Sequence, residues 1–140
     1  MTDQEWKEKL LNGIERLRHG NEIMIALDPE IADLDGETME VTIAFEPKSW
    51  MVNEFGKMSG AASAALIETA VAIAAQAIMD DNLTLDMNIS YLREMNVEGA
   101  ILTKVTVVKL GRQILRLRGE MYDGSTGKLS VLAALNIMKI

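Results

Sequence analysis

The carboxylate Glu68 stands in residues 53–70, NEFGKMSGAASAALIETA, a segment half of which is Gly, Ala and Ser. A helix of small residues can be pressed close on every side, and a charge there is costly unless it has a partner or a task. Glu68 is therefore either a structural group with a buried partner or the working group of a site. As a working group, a carboxylate takes a proton or attacks a carbon. The rest of the composition narrows the chemistry. There are no cysteines, which removes disulfides, thiolate metal sites and Cys nucleophiles. The single histidine, His19, lies in the charged opening segment, so neither a His metal cluster nor a Ser-His-Asp triad can be assembled. No metal site and no cofactor is expected. The run GSTGK at residues 124–128 echoes a phosphate loop, but Tyr122 and Leu129 occupy the positions that would need Gly and Ser or Thr. It reads as a hairpin turn.

Charge is uneven along the chain. The net value is −7, against general nucleic-acid affinity, yet residues 99–140 carry seven Lys and Arg against two Asp and Glu. That third alone could receive an anionic ligand, or it could be a solvated strand face. The opening MTDQEWKEKL is acidic and amphipathic rather than a signal peptide, and the apolar run at residues 61–79 is interrupted by Glu68, Thr69 and Gln76. The expectation is a cytoplasmic protein with no membrane partner.

At 140 residues the chain reads as one domain spanning 1–140, long enough to bury about 70% of its unfolded surface. Trp6, Leu10, Leu11, Ile14 and Leu17 recur at helical spacing over residues 3–18, and Gly20 ends that helix. EIMIALD is a short strand candidate, and ETMEVTIAFE alternates as a half-buried strand. Residues 59–79 read as one helix, with Ser59 as N-cap and a length of roughly 30 Å. Four strand-like runs follow, at 83–93, 100–110, 113–122 and 128–140. In the first, Leu83, Leu85, Met87, Ile89 and Tyr91 face one way, and Thr84, Asp86, Asn88 and Ser90 the other. Matching lengths point to an antiparallel sheet curled round one long helix. Met58, Met87 and Met95 read either as core residues or as the lining of a pocket for an acyl group.

That order resembles the hotdog fold, an α+β architecture, and within it the acyl-CoA thioesterases of the phenylacetate-pathway type. The resemblance rests on NEFGKMSGA, LIETA, TLDMNISYLRE and LGRQ, which place Asn53, Gly56, Gly60, Leu66, Glu68, Thr84, Asn88, Arg93, Gly111 and Arg112 in register. It covers residues 50–140 and departs at two points. Ser59 stands where the family has His, and Ala61 replaces a second Gly.

The resemblance implies hydrolysis of an acyl-CoA thioester to free acid and CoA. Glu68 would be general base or nucleophile, and the Gly60 amide would polarise the carbonyl at the positive end of the helix. Asn53 would hold the water or the carbonyl, and Thr84 would orient Glu68 or the water. Arg112, Gly111 and Arg93 would meet the CoA moiety. Gly60 and Glu68 lie eight residues apart, about 12 Å along one helix, so a site using both would be shared between two chains. The resemblance implies the same, a homodimer or a dimer of dimers. A non-catalytic acyl-thioester binder is the alternative, kept open by Ser59.

Overall fold

The computed structural model describes every residue, Met1–Ile140. Helix α1 (Asp3–Arg18) begins at a capping box in which Thr2 and Glu5 satisfy each other's backbone amides. It buries Trp6, Leu10, Gly13 and Ile14, with Leu17 partly buried beside them, whereas Leu11, expected on the same stripe, is exposed. The next segment departs from expectation. EIMIAL is a short helix, α2 (Glu22–Leu27), capped by Asn21 and stopped by Asp28 in the left-handed region at φ 45°. A side-chain cap at one end and a left-handed residue at the other outweigh the strand-like apolar run.

The first strand comes later, as β1 (Glu30–Asp35), a segment the pattern did not mark. Its apolar residues, Ile31 and Leu34, are three apart because the register of β1 on β2 (Glu40–Phe45) shifts between Ile31 and Asp33. Ala32 is the extra residue of a β-bulge, so Ile31 and Leu34 both face the core side. The expected strand at ETMEVTIAFE is β2, which buries Val41, Ile43 and Phe45.

After a loop containing a 3-10 turn at Ser49–Met51, helix α3 (Gly60–Met79) crosses the sheet. Strands β3 (Asn82–Tyr91), β4 (Ile101–Leu110), β5 (Ile114–Tyr122) and β6 (Leu129–Lys139) complete it. The six strands are antiparallel in the order β1-β2-β4-β5-β6-β3, which leaves β1 and β3 as the edges. Leu66, Ile67, Ala70, Val71, Ile73 and Ala74 of α3 are fully buried, as are Leu115 and Leu117 of the sheet. Each large side chain among them contributes about 1.5–3 kcal/mol. Helix α1 covers the far side of α3, where Gly13 permits close approach: a Cβ there would lie 3.4 Å from the Ile73 carbonyl oxygen. Helix α3 is long and apolar enough to cross a bilayer, but 67% of that stretch is buried inside the domain, so it is the core helix. This is the hotdog arrangement.

Candidate functional site

Helix α3 starts at a loop that is tightly wound. The Asn53 side-chain oxygen accepts hydrogen bonds from the Phe55 and Lys57 amides at 2.9 and 3.1 Å. Gly56 takes φ 75°, a conformation that suits glycine. The side-chain oxygen of Asn53 is thus committed to the loop, and its amide nitrogen is the part that remains to donate. Ser59 occupies the N-cap position as expected, but its hydroxyl makes no capping hydrogen bond. The first amides of a helix have no intrahelical acceptor. Without a side-chain cap, those of Gly60, Ala61 and Ala62 are donors at the positive end of the dipole.

The first of them, Gly60, borders a cavity of about 440 Å³ lined also by Asn53, Phe55, Met58, Tyr91 and Arg93, among others. Met58 and Met95 form buried parts of its wall, so both packing and lining readings hold for them. Tyr91, read from the sequence only as part of an apolar strand face, reaches the helix start. Its hydroxyl donates to the Gly60 carbonyl at 2.7 Å. A Cβ on Gly60 would meet the Tyr91 ring at 3.4 Å. No sequence signal marks this contact beyond the aromatic at the end of the strand.

The rim is tethered from behind. Lys57 Nζ donates to Asn96 Oδ1 at 2.7 Å, and the Met58 amide donates to the Met95 carbonyl at 2.9 Å. Asn96 is in turn fixed by the buried Asp123, which accepts from the amides of Asn96, Ser125 and Thr126 and from the Ser125 hydroxyl. Burial pushes the Asp123 carboxyl up, but these donors outweigh it and hold the group below its ordinary value. The GSTGK segment therefore forms the β5–β6 turn, as expected of a hairpin.

Glu68 lies two turns further along α3, half-buried, outside the cavity. It forms no ion pair. Its Oε1 accepts from the Thr84 hydroxyl at 2.6 Å, a short, charge-assisted contact. The sequence alternation had placed Thr84 with Asp86, Asn88 and Ser90, away from the helix. The structure corrects this. The register of β3 on β6 shifts between Thr84 and Asp86, leaving Leu85 as an extra residue. Thr84 then pairs with Ile137, just as Met87, Ile89 and Tyr91 pair with Leu135, Ala133 and Val131, all buried on the helix side. The bulge turns Thr84 inward.

The site residues therefore form two groups within one chain, Asn53, Gly60 and Arg93 at the helix start and Glu68 with Thr84 farther on. Gly111 and Arg112 form a third place, at the β4–β5 turn. There a depression of about 340 Å³ is bordered by Lys109, Arg112, Arg116 and Asn136, with none of the three cations in an ion pair. Not all basic residues of this third are free. Lys104 pairs with Glu40 at 3.3 Å and Arg118 with Glu120 at 3.5 Å, and the Glu40 contact raises the Lys104 pKa. A larger depression of about 880 Å³ between α1 and β1 contains none of the expected site residues. No group of three His, Asp or Glu side chains is placed to share a metal ion.

The chain matches the family model of the thioesterase superfamily over residues 55–130. No curated protein matches it in sequence. Its fold is shared by solved structures of low identity. The E. coli PaaI protein of the phenylacetic acid degradation operon superposes with a TM-score of 0.82 at 17% identity, covering 95% of this chain and 94% of that one. A mutant of the phenylacetic acid degradation protein PaaI from Thermus thermophilus gives 0.75 at 22%, covering 86% and 100%. A hypothetical thioesterase with coenzyme A from Streptococcus pneumoniae gives 0.76 at 16%, covering 87% and 94%.

Proposed function

The chain belongs to the thioesterase superfamily, and from that premise we propose that it hydrolyses an acyl-CoA thioester to a free acid and coenzyme A. The thioester carbonyl lies at the start of α3, where the Gly60 amide donates to its oxygen and stabilises the negative charge that develops there. Glu68 takes a proton from water as the water adds to the carbonyl carbon, or its carboxylate adds directly and water then releases it. Collapse of the tetrahedral adduct re-forms the C=O bond and expels the CoA thiolate, which takes up the proton. Thr84 holds one Glu68 oxygen and leaves the other for the reaction, and Asn53 offers its side-chain N–H₂ to the carbonyl or the water.

The observation that carries the residue roles is the Thr84–Glu68 hydrogen bond. An acid set in a small-residue helix, bonded to a hydroxyl and to no cation, is not one half of a structural ion pair.

We infer a homodimer, or a dimer of dimers, because one chain holds the two groups apart. Two features support this. Edge strand β3 presents Leu83 and Leu85 at 57% and 49% exposure. Beside them, Ala64, Ala65, Glu68, Thr69 and Ala72 form a half-buried stripe along α3. Tyr91, next to Gly60, and Thr84, next to Glu68, sit toward opposite ends of β3. An antiparallel partner edge would therefore bring Glu68 of one protomer to Gly60 of its mate. It would also bring Arg93 toward the Lys109, Arg112 and Arg116 cluster, a set of cations suited to CoA phosphates. The apolar Met58, Met95 and Phe55 suit an acyl group, and a cytoplasmic location fits a CoA ester.

The test is thiol release from a panel of acyl-CoA esters, read with a thiol reagent free of background because the chain has no Cys. Wild type should turn over at least one ester, and Glu68→Gln should lose about 10²–10⁴ of that rate. Tight binding of the esters with no release from any would instead identify a non-catalytic acyl-thioester binder.

A further inference from the structure

We propose that Tyr91 is a positioning residue that sets the donor strength of the helix start, and that it acts through the Gly60–Ala61 peptide. The inference rests on the thioesterase reading above but concerns a residue which that reading leaves without a role. The Gly60 carbonyl and the Ala61 amide belong to one rigid plane, with the C=O and N–H pointing in opposite directions. The carbonyl points up the helix, where it takes the ordinary backbone bond, and it accepts the Tyr91 hydroxyl at 2.7 Å as well. A carbonyl that accepts two donors draws electron density from its own N–H, and chains of hydrogen bonds strengthen one another in this way. The Ala61 N–H, which points out of the helix start beside the Gly60 amide, becomes the better donor and strengthens the positive end at which the Gly60 amide holds the thioester oxygen.

The same contact fixes the plane in space. Strand β3 is held to β6 along its length, and Tyr91 pairs there with Val131. The phenol thus ties the first turn of α3 to the sheet. Ser59 leaves that turn without a side-chain cap, so this contact joins the Ser59 amide's bond to the Met51 carbonyl at 2.7 Å in steadying it. The ring also fills the space over Gly60, where a Cβ would stand 3.4 Å from it. Glycine at position 60 and tyrosine at 91 are thereby coupled by contact. Tyr91 remains 52% exposed, with its outer part on the cavity wall. It therefore meets the space a substrate would enter without giving up its hydroxyl to that substrate.

Tyr91→Phe separates the hydroxyl from the ring. The ring that covers Gly60 stays, so the fold and the cavity wall should persist and the melting temperature should stay close to that of wild type. For the best ester of the panel, kcat should fall about 3–10-fold while KM changes by less than about twofold. That is the pattern of an interaction felt in the transition state, at the scale of one neutral hydrogen bond. A merely structural role would lower kcat only together with the folded fraction. The second readout is independent of turnover. In amide-resolved NMR the Ala61 proton should move upfield in Tyr91→Phe, since its carbonyl has lost a donor. Unchanged kcat in a folded Tyr91→Phe, or an unmoved Ala61 amide, overturns the proposal. If wild type hydrolyses none of the esters, the thioesterase reading fails on its own. The Ala61 resonance then decides this one: an upfield shift upholds Tyr91 as the setter of the donor, and no shift removes it.

Discussion

The two edges of the sheet carry the same backbone device for different ends. In β1 the extra residue is Ala32, and the bulge lets Ile31 and Leu34, three apart, both rest on the core. In β3 the extra residue is Leu85, and the bulge lets Thr84 and Met87, also three apart, face the helix. At the first edge the inward residues are apolar and add to packing. At the second, one of them is a hydroxyl that meets the only carboxylate of α3. The surroundings differ in the same sense. Glu30, Asp33 and Asp35 put charge on β1, a common guard against edge-to-edge pairing. β3 instead presents exposed Leu83 and Leu85. One edge is guarded by charge, and the other is left apolar and open where Glu68 and Thr84 stand.

The comparison is broken most severely by asking whether the β3 edge joins two copies. Glu68→Gln and Gly60→Leu should each be nearly inactive alone, the second because its side chain runs into the Tyr91 ring. Co-expressed, they should recover about a quarter of wild-type turnover, since random pairing makes half the dimers mixed and each mixed dimer has one intact site. Recovery near zero, with mixed dimers shown by mass, would place the whole site within one chain.

Next in size is the contrast between the inward residues themselves. Thr84→Val keeps the branched shape but not the hydroxyl, and should lower kcat about 10-fold, the scale of one charge-assisted hydrogen bond. Ile31→Val at the other edge should cost about 0.5–1.5 kcal/mol of stability and leave turnover per folded protein unchanged. Equal effects on turnover at the two edges would end the distinction.

The tether behind the cavity belongs to neither edge and should behave as structure alone. The folded Asp123 carboxyl titrates below its ordinary value of 3.8, so the stability it contributes is full above that value. It is lost as pH falls through the lowered folded value. Asp123→Asn should therefore melt earlier than wild type at neutral pH, and the gap should close as the pH drops below 3.8. A gap that stays constant down the titration would contradict the assigned hydrogen bonds.

The smallest effect is expected from deleting Leu85. Thr84 stays opposite Ile137 once the bulge is gone, so the Glu68 bond should survive and kcat should remain within about threefold of wild type. A loss as large as that of Thr84→Val would show that the bulge supplies more than the facing of Thr84.

Much of the architecture is legible along the chain because it obeys regular periods. The stripe of α1, the small-residue run of α3 and the alternations of β2 and β5 follow regular spacings, and each element appears where its period runs. Asn53, Gly60 and Glu68 stand out through residue type and through the family resemblance. What the period could not carry was set by irregularity. EIMIAL reads as a short apolar strand, yet Asn21 and Asp28 close it into a helix. EIADLD shows no alternation, yet a bulge makes it a strand.

The sequence by itself determined α1, β2, α3 and the four later strands, and which residue types lie near the middle of the long helix, because hydrophobic spacing and covalent composition are local properties. Only the tertiary structure decided that Thr84 turns toward Glu68, that Tyr91 holds Gly60, and that Lys109, Arg112 and Arg116 are free while Lys104 and Arg118 are not. Each of those depends on the register between strands distant in sequence. One inserted residue reverses the facing of a side chain without altering anything its neighbours reveal.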